Sequence, residues 1–277
     1  MLRACWMAPL MLLLAVQAQP PSPESPDPKS PRPIEAFDTV FTEEMTWMEI
    51  RDALAAGKTT VIVATGGVEQ NGPYLASGKH NYVLRATTQA IARKLGDTLV
   101  APIVPFVPEG DIAPPSGHMR YPGTISVTEK TYDALLTDIC SSLKTHGFKE
   151  IILIGDSGGN QPGMQRVAEQ LNAAWSDSGV RLLYIPEYYD YPAVTKWLEE
   201  QGIKQTPEGL HDDFAITAIM MTVDPNTVRM KERGAAGKFS INGVDLAPAP
   251  KTIEWGKKII EFRANATIKA IQRARGA

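Results

Sequence analysis

Two short polar loops carry the residues best suited to chemistry, and each loop follows an apolar run. Glu69 lies in the first loop and Asp156 in the second, both among glycines, where backbone and ligand can approach closely. His80 follows Glu69 by eleven residues and can face the same space. A carboxylate with a neutral imidazole suits Zn²⁺ or Mn²⁺. The competing interpretation is that His80 and Asn81 only begin a helix.

The second loop, 155–160, excludes two common catalytic motifs. It lacks the Gly-Lys-Ser/Thr ending of a phosphate-binding loop. Its serine, Ser157, does not lie in a Gly-x-Ser-x-Gly nucleophile elbow and is a poor nucleophile candidate. A Gly-rich loop that opens a helix offers amide donors to an anionic group. A simple turn made by Asp156 and its glycines is the structural alternative.

The other histidines divide into one structural candidate and two functional ones. His146 precedes Gly147 at a predicted helix end, where the helix dipole favours a cation. His118 and His211 lie in or beside loops that flank strand ends. Asp212 and Asp213 follow His211 and give three potential ligands in a row, or they only stabilise the start of a helix.

Strands alternate with helices along the chain, which predicts βαβ units and a mostly parallel α/β sheet flanked by helices. A Pro- and Gly-rich loop at 107–124 is long enough to be functional, and 235–251 is a second predicted loop. Thr42 is the predicted N-cap of the first helix. The predicted strands are 60–64, 99–105, 150–154 and 180–185, and the predicted helices are 45–54, 81–95, 129–146, 162–175, 190–201, 211–222 and 253–275.

The amino terminus differs in composition from the rest of the 277 residues. Residues 1–18 have the basic start, short apolar core and small-residue end of a signal peptide, which predicts a secreted or periplasmic protein without stable membrane insertion. Residues 19–35 are Pro-rich and predict a disordered tether, followed by one domain at 36–277. Only Cys140 remains after cleavage, and its helical setting predicts a buried thiol.

The bulk charge excludes some partners. The formal net charge is −3 and no Lys/Arg-rich block is present, so nothing in the chain calls for nucleic acid. A small-molecule substrate is the expected partner.

Four segments resemble the creatininase family in order and spacing. Residues 69–75 have Glu-Gln-Asn-Gly-Pro-Tyr-Leu for the family's Glu-Gln-His-Gly-Pro-His-Leu. Residues 118–126 are similar to His-x-x-Phe-Pro-Gly-Thr-Ile-Ser, and 155–160 to Asn-Gly-His-Gly-Gly-Asn. His211 stands where the family has His-Ala-Gly. The resemblance implies a creatininase-like three-layer sandwich, usually a hexamer, with two divalent metals that activate water to open an amide.

Most metal ligands that the resemblance implies are replaced in this chain. Glu69 matches a family ligand, His80 stands at the bridging Asp, and His211 matches the catalytic His. The remaining family ligand positions carry Asn71, Ser157, Gly159 and Ile216. Because a neutral imidazole removes the anion that lets two cations approach, one ion is expected rather than two.

The leading hypothesis is an exported, metal-dependent amidohydrolase acting on the C–N bond of a small cyclic or linear amide. Glu69, His80 and Asp156 would hold a Zn or Mn ion, with Asp156 as third ligand or general base and His211 as acid/base. The predicted substrate-binding residues are His118, Asn71, Ser157 and Asn160. Two alternatives stay open: a non-catalytic small-ligand-binding protein that has lost the metals, and metal-free catalysis by Asp156 and His211.

Overall fold

The computed structural model describes residues 26–276, and residues 36–277 form one compact unit. The predicted signal peptide at 1–18 lies outside the described residues, as does the first part of the predicted tether. Residues 26–35 contain neither helix nor strand. Export, cleavage and the tether therefore stay predictions.

A four-stranded parallel sheet forms the centre of the compact unit. Its strands are β1 (Thr60–Thr65), β2 (Thr98–Val100), β3 (Glu150–Gly155) and β4 (Arg181–Tyr184). Their spatial order is β2-β1-β3-β4, so β1 and β3 are central neighbours and are buried on both faces. The predicted parallel α/β sheet is confirmed, and β1 and β3 are apolar throughout because helices cover both faces.

Eight α-helices surround the sheet in the part of the chain that the structure describes. They are α1 (Trp47–Ala55), α2 (Lys79–Leu95), α3 (Glu129–Thr145), α4 (Gln161–Ala174), α5 (Tyr191–Glu200), α6 (Phe214–Val223), α7 (Met230–Ala235) and α8 (Ala249–Arg275). None of those in residues 26–276 combines the length and the apolar character that crossing a bilayer requires.

Alternate residues of the central strands pack into two different cores. Val61 and Val63 of β1 belong to the core that includes residues of α3 and α4. Ile62 and Ala64 belong to the opposite core, with residues of α2 and α8. This alternation is the two-residue period of a strand, and it produces the three-layer arrangement expected from the sequence. Cys140 of α3 is fully buried in the first core, as predicted.

Several predicted boundaries shift, each for a local reason. The cap of α1 is Thr46 and not Thr42, because only Thr46 has a glutamate three residues later, Glu49, with which it forms a capping box. Strand β2 ends at Val100, and the prolines that follow leave Val104 with a single bridge to Thr65. The 235–251 loop contains a two-stranded hairpin of β5 (Ser240–Ile241) and β6 (Val244–Asp245).

Candidate functional site

The two polar loops follow β1 and β3, so they meet at the carboxyl edge of the sheet, where ligands bind in open parallel sheets. Asn160 joins them directly. Its side-chain amide donates to the carbonyl oxygens of Thr65 at 3.0 Å and Gly66 at 2.8 Å. The fully buried Asn160, predicted as a substrate-binding residue, thus holds the two loops together.

Glu69 is the buried centre of the site. Its Oε1 lies 2.7 Å from His80 Nε2 and 3.2 Å from Lys79 Nζ, and its Oε2 lies 3.1 Å from His118 Nε2. Burial alone would raise the pKa of this carboxyl, but the hydrogen bond from His80 and the charges of His80 and Lys79 hold the pKa well below its usual range. Glu69 is therefore an anion held by three nitrogen groups.

His80 lies between two carboxylates and is itself buried. Its Nε2 faces Glu69, and its Nδ1 lies 2.8 Å from Asp156 Oδ2. Burial opposes a charge on the ring, yet the hydrogen bonds to Asp156 and Glu69 raise its pKa. Glu69, His80 and Asp156 thus converge, but as a hydrogen-bonded chain in which both ring nitrogens are engaged. As a shared metal site this set stays a prediction.

Asp156 is contacted by three polar side chains. Arg263 Nη2 lies 2.7 Å from Oδ1, and the Tyr191 hydroxyl donates to both oxygens at 3.0 Å. Together with His80, three side chains thus contact the carboxylate, and the single hydroxyl proton of Tyr191 is shared between its two oxygens. Burial raises the pKa of Asp156, but the Arg263 charge and the His80 hydrogen bond outweigh it and lower the pKa. The arrangement suits a fixed anion that orients its neighbours.

His118 and His211 form the accessible side of the site. Their rings stack with centroids 4.4 Å apart, and their side chains are 30% and 40% exposed. His211 has a left-handed backbone (φ 58°) and precedes α6, whose N-cap is Asp213. The predicted helix start at 211 is therefore wrong by three residues, because the Asp213 side chain caps the helix. With this left-handed backbone before the helix, the His211 ring faces Glu69, and its Nδ1 lies 3.6 Å from Oε1.

One divalent cation fits the donor types on this accessible side. Glu69, His118 and His211 each offer a ligand atom, and these atoms lie within 4.8 Å of one another. Two histidines with one glutamate form a known Zn²⁺ ligand set that leaves a position for water. Imidazole lone pairs lie in the ring plane, so the stacked rings must tilt to share an ion. Lys79 Nζ, 3.4 Å from His211 Nε2, must move away as well.

Glu109, from the long loop after β2, adds a second buried carboxyl beside Glu69. Burial and the Glu69 charge raise its pKa to about 8. Among the described residues, its Oε1 has no hydrogen-bond partner. The sequence placed this loop near function but did not single out Glu109.

Asn71 and Ser157, two further predicted substrate-binding residues, are both buried in the polar loops. The side-chain amide of Asn71 donates at 3.0 Å to the carbonyl oxygens of Glu69 and Ala76, which fixes the first loop. Ser157 is buried and precedes a short 3-10 turn at Gly158–Asn160. A substrate-binding role for either side chain stays a prediction.

A cavity of about 230 Å³ opens on the accessible side of the site, where His211 borders it. Its volume suits a small molecule rather than a folded partner. A second cavity, of about 610 Å³, lies at the opposite, amino-terminal end of the strands and does not include the site. The residues that line the smaller cavity are Lys79, His80, Asp156, Tyr189, Tyr191, Thr195, His211, Asp212, Asp213 and Ile216.

Sequence reasoning missed Lys79, Arg263 and Tyr191 as members of the site. One signal was available for Lys79. It begins α2 with His80 beside it, and two basic residues at a helix start oppose the helix dipole. Arg263 gives no such signal, because an arginine in a long amphipathic helix usually faces water.

Comparison with known proteins agrees on one family. The family model described as creatinine amidohydrolase, or creatininase, matches residues 43–271. Creatinine amidohydrolase of Pseudomonas putida is 24% identical over 234 residues, which cover 79% of this chain and 88% of that protein. The mycofactocin precursor peptide peptidase of Mycolicibacterium smegmatis is 22% identical over 218 residues, covering 77% and 84%.

Solved structures agree with this fold. A creatininase structure described as its Mn form superposes with a TM-score of 0.64 at 21% identity, covering 85% of this chain and 98% of that one. A mutant creatininase described as of Zn–Zn type gives a TM-score of 0.62 at 21% identity, covering 86% and 99%. The predicted creatininase-like architecture is confirmed.

Proposed function

The chain belongs to the creatininase family, and from this premise we propose that it is a metal-dependent amidohydrolase that cleaves a C–N bond in a small cyclic or linear amide. Glu69, His118 and His211 would hold one divalent cation, Zn or Mn. The observation that carries the proposal is the convergence of these three donors at the carboxyl edge of the sheet, where His211 also borders a small cavity. The named relatives act on C–N bonds, which supports the same class of reaction here.

The chain's own residues would divide the remaining work. A bound divalent cation supplies a water of lowered pKa and polarises the amide carbonyl. His211 borders the cavity and is partly exposed, so as a ligand it would place the ion against the substrate and would not serve as the predicted acid/base. The Lys79 ammonium borders the same cavity and can stabilise negative charge that develops on the carbonyl oxygen. Asp156, which already contacts three polar side chains, would orient His80 instead of acting as the predicted base.

Metal content tests the proposal directly. After loading with Zn²⁺ or Mn²⁺ and dialysis, we expect one ion per chain, and a chelator should abolish hydrolysis of small cyclic amides, formamides or short peptides. His118→Gln and His211→Gln should each weaken ion binding by at least about 100-fold, because losing a ligand costs more than losing a residue that only supports one.

His146→Gln is the matched control, because His146 is exposed at the end of α3, outside the site. It should keep the wild-type metal content. Equal metal content in all three histidine variants would contradict the ligand assignment, and absence of any ion from loaded wild type would contradict the proposal itself.

One observation favours a second candidate, a non-catalytic binding protein for a small ligand. Lys79 Nζ, 3.2 Å from Glu69 and 3.0 Å from the His211 carbonyl, already supplies a cation at this carboxylate. This candidate predicts no stoichiometric metal, no hydrolysis, and saturable binding of a small polar ligand in the same cavity.

A further inference from the structure

A continuous buried chain of ionic contacts runs behind the accessible side of the site. It leads from Glu69 through His80 to Asp156 and on to Arg263, with contacts of 2.7, 2.8 and 2.7 Å. All four residues are at most 5% exposed. Buried charges persist only when they are paired and hydrogen-bonded, so each member depends on the next.

The His80 ring fills the gap between the two carboxylates of this chain. An ionised carboxylate only accepts hydrogen bonds, and His80 faces one at each ring nitrogen. Both ring nitrogens are engaged in these contacts, so a metal ion at His80 would have to displace one of the two carboxylates. Lys79, the preceding residue, contacts the same Glu69 oxygen.

Helix stability does not explain why two basic residues, Lys79 and His80, stand side by side at the start of a helix. Lys79 and His80 are the first two residues of α2, where the positive end of the helix dipole disfavours a cation. Sequences usually break such local rules at functional sites. Here the carboxylates of Glu69 and Asp156 offset the unfavourable placement.

The loop after β3 also lacks room for another acidic ligand. The creatininase resemblance expects an acidic ligand at the position of Gly159. A Cβ atom there would lie 2.6 Å from the carbonyl oxygen of Pro108. The backbone of the long loop occupies that space. A carboxylate side chain at 159 would therefore require the loop to move.

We propose that the His80 ring, with Lys79 beside it, fills the space between Glu69 and Asp156, in the place of the bridging carboxylate and second metal ion that the family resemblance implies. It limits the centre to one divalent ion. The inference deepens the proposed function and rests on it for the ion bound by Glu69, His118 and His211.

Replacing His80 tests this inference through metal stoichiometry. His80→Asp and His80→Asn both remove the ring that separates the two carboxylates, so Glu69 and Asp156 should recruit an ion in its place. We expect each full-length variant to bind one Mn²⁺ or Zn²⁺ more per chain than wild type, with tighter binding for His80→Asp because it adds a carboxylate. Equilibrium dialysis with elemental analysis measures the difference.

Thermal unfolding gives a second readout that does not depend on catalysis. Millimolar Mn²⁺ or Zn²⁺ should raise the Tm of both variants by about 5 °C or more beyond its effect on wild type, because the added ion binds only the folded state. His146→Asp is the matched control. It adds the same carboxylate at an exposed position and should behave as wild type.

Three results would overturn the inference: neither His80 variant gains an ion, His146→Asp gains as much, or neither His80 variant folds even with millimolar ion present. The last counts against it because the ion should occupy the space that the ring leaves. The ion content and hydrolysis of wild type test the proposed function, whereas the difference between variant and wild type tests the role of His80.

Discussion

At the residue scale, the site depends on how each buried charge is neutralised. Asp156 is fully buried, and Arg263 stacks beside the rings of Tyr188 and Tyr191 while it contacts Asp156. A buried pair of this kind contributes little to net stability when intact, but removing one partner leaves an uncompensated charge. The Asp156–Arg263 pair should therefore be the most sensitive point of the network outside the accessible ligands.

Arg263→Met tests this expectation. It keeps most of the side-chain volume but removes the charge, so we expect a loss of about 3–5 kcal/mol in the free energy of unfolding. Urea unfolding of the full chain measures the loss. The double variant Arg263→Met with Asp156→Asn should recover part of it, because no charge is then left unpaired.

Arg93→Met is the surface control for this change. Arg93 pairs at 3.0 Å with Asp38, whose side chain is 89% exposed, and such pairs contribute about 1 kcal/mol or less. If Arg263→Met costs no more than Arg93→Met, the buried pair is not needed to offset Asp156.

At the scale of elements, the crossing of α6 and α8 places two parts of the site. His211 lies just before α6, and Arg263 lies on α8 two turns after Gly256. At Gly256 the helices approach so closely that a Cβ atom would lie 2.1 Å from the carbonyl oxygen of Ala218. The absence of a side chain at Gly256 thus allows α8 to lie close enough to α6 to place Arg263 beside Asp156.

Gly256→Ala should destabilise the protein although alanine is the better helix former. Helix propensity alone predicts a gain of about 1 kcal/mol. The close approach of α6 and α8 should outweigh this gain, with a net loss of about 1–3 kcal/mol in the free energy of unfolding. Chemical denaturation measures it. Ala266→Gly, at an exposed position of α8, calibrates propensity on the same helix, and a stabilised Gly256→Ala variant would show that α6 and α8 separate without cost.

At the scale of the whole molecule, the compact unit divides its sheet between two cores, and the site occupies only the carboxyl edge. The first core contains Cys140 on the inner face of α3. Burial raises the pKa of this thiol to about 12. The pKa of Cys140 is higher in the folded protein than in the unfolded chain. The contribution of this thiol to the free energy of unfolding is therefore constant below the unfolded pKa and declines as the pH rises from there toward the folded pKa. Assembly into a homo-oligomer stays a prediction from the family resemblance.

The reactivity of Cys140 should therefore report on global unfolding. In the native protein at pH 8.5, iodoacetamide should modify Cys140 at less than about one hundredth of its rate in the unfolded chain, since the thiolate is the nucleophile. Mass spectrometry of the Cys140 peptide measures the modification, with guanidinium-unfolded protein as the control. Rapid native modification would mean that α3 opens locally without unfolding of the sheet.

Much of the framework follows from the sequence alone. The apolar runs 60–64 and 150–154 predicted the two central strands, and the glycine loops after them predicted where Glu69 and Asp156 meet. His80 was expected near both carboxylates, and it lies between them. These features are readable because periodicity, β-branching and glycine act over a few residues.

Only the tertiary structure decided the charge balance of the site. The order of the strands brings His80 between Glu69 and Asp156, 76 positions before the latter. The packing of α8 delivers Arg263 across 107 positions of sequence to the same carboxylate. Whether a polar side chain becomes a metal ligand, a proton carrier or a fixed counter-ion depends on its partners within about 3 Å, and distant parts of the chain supply those partners.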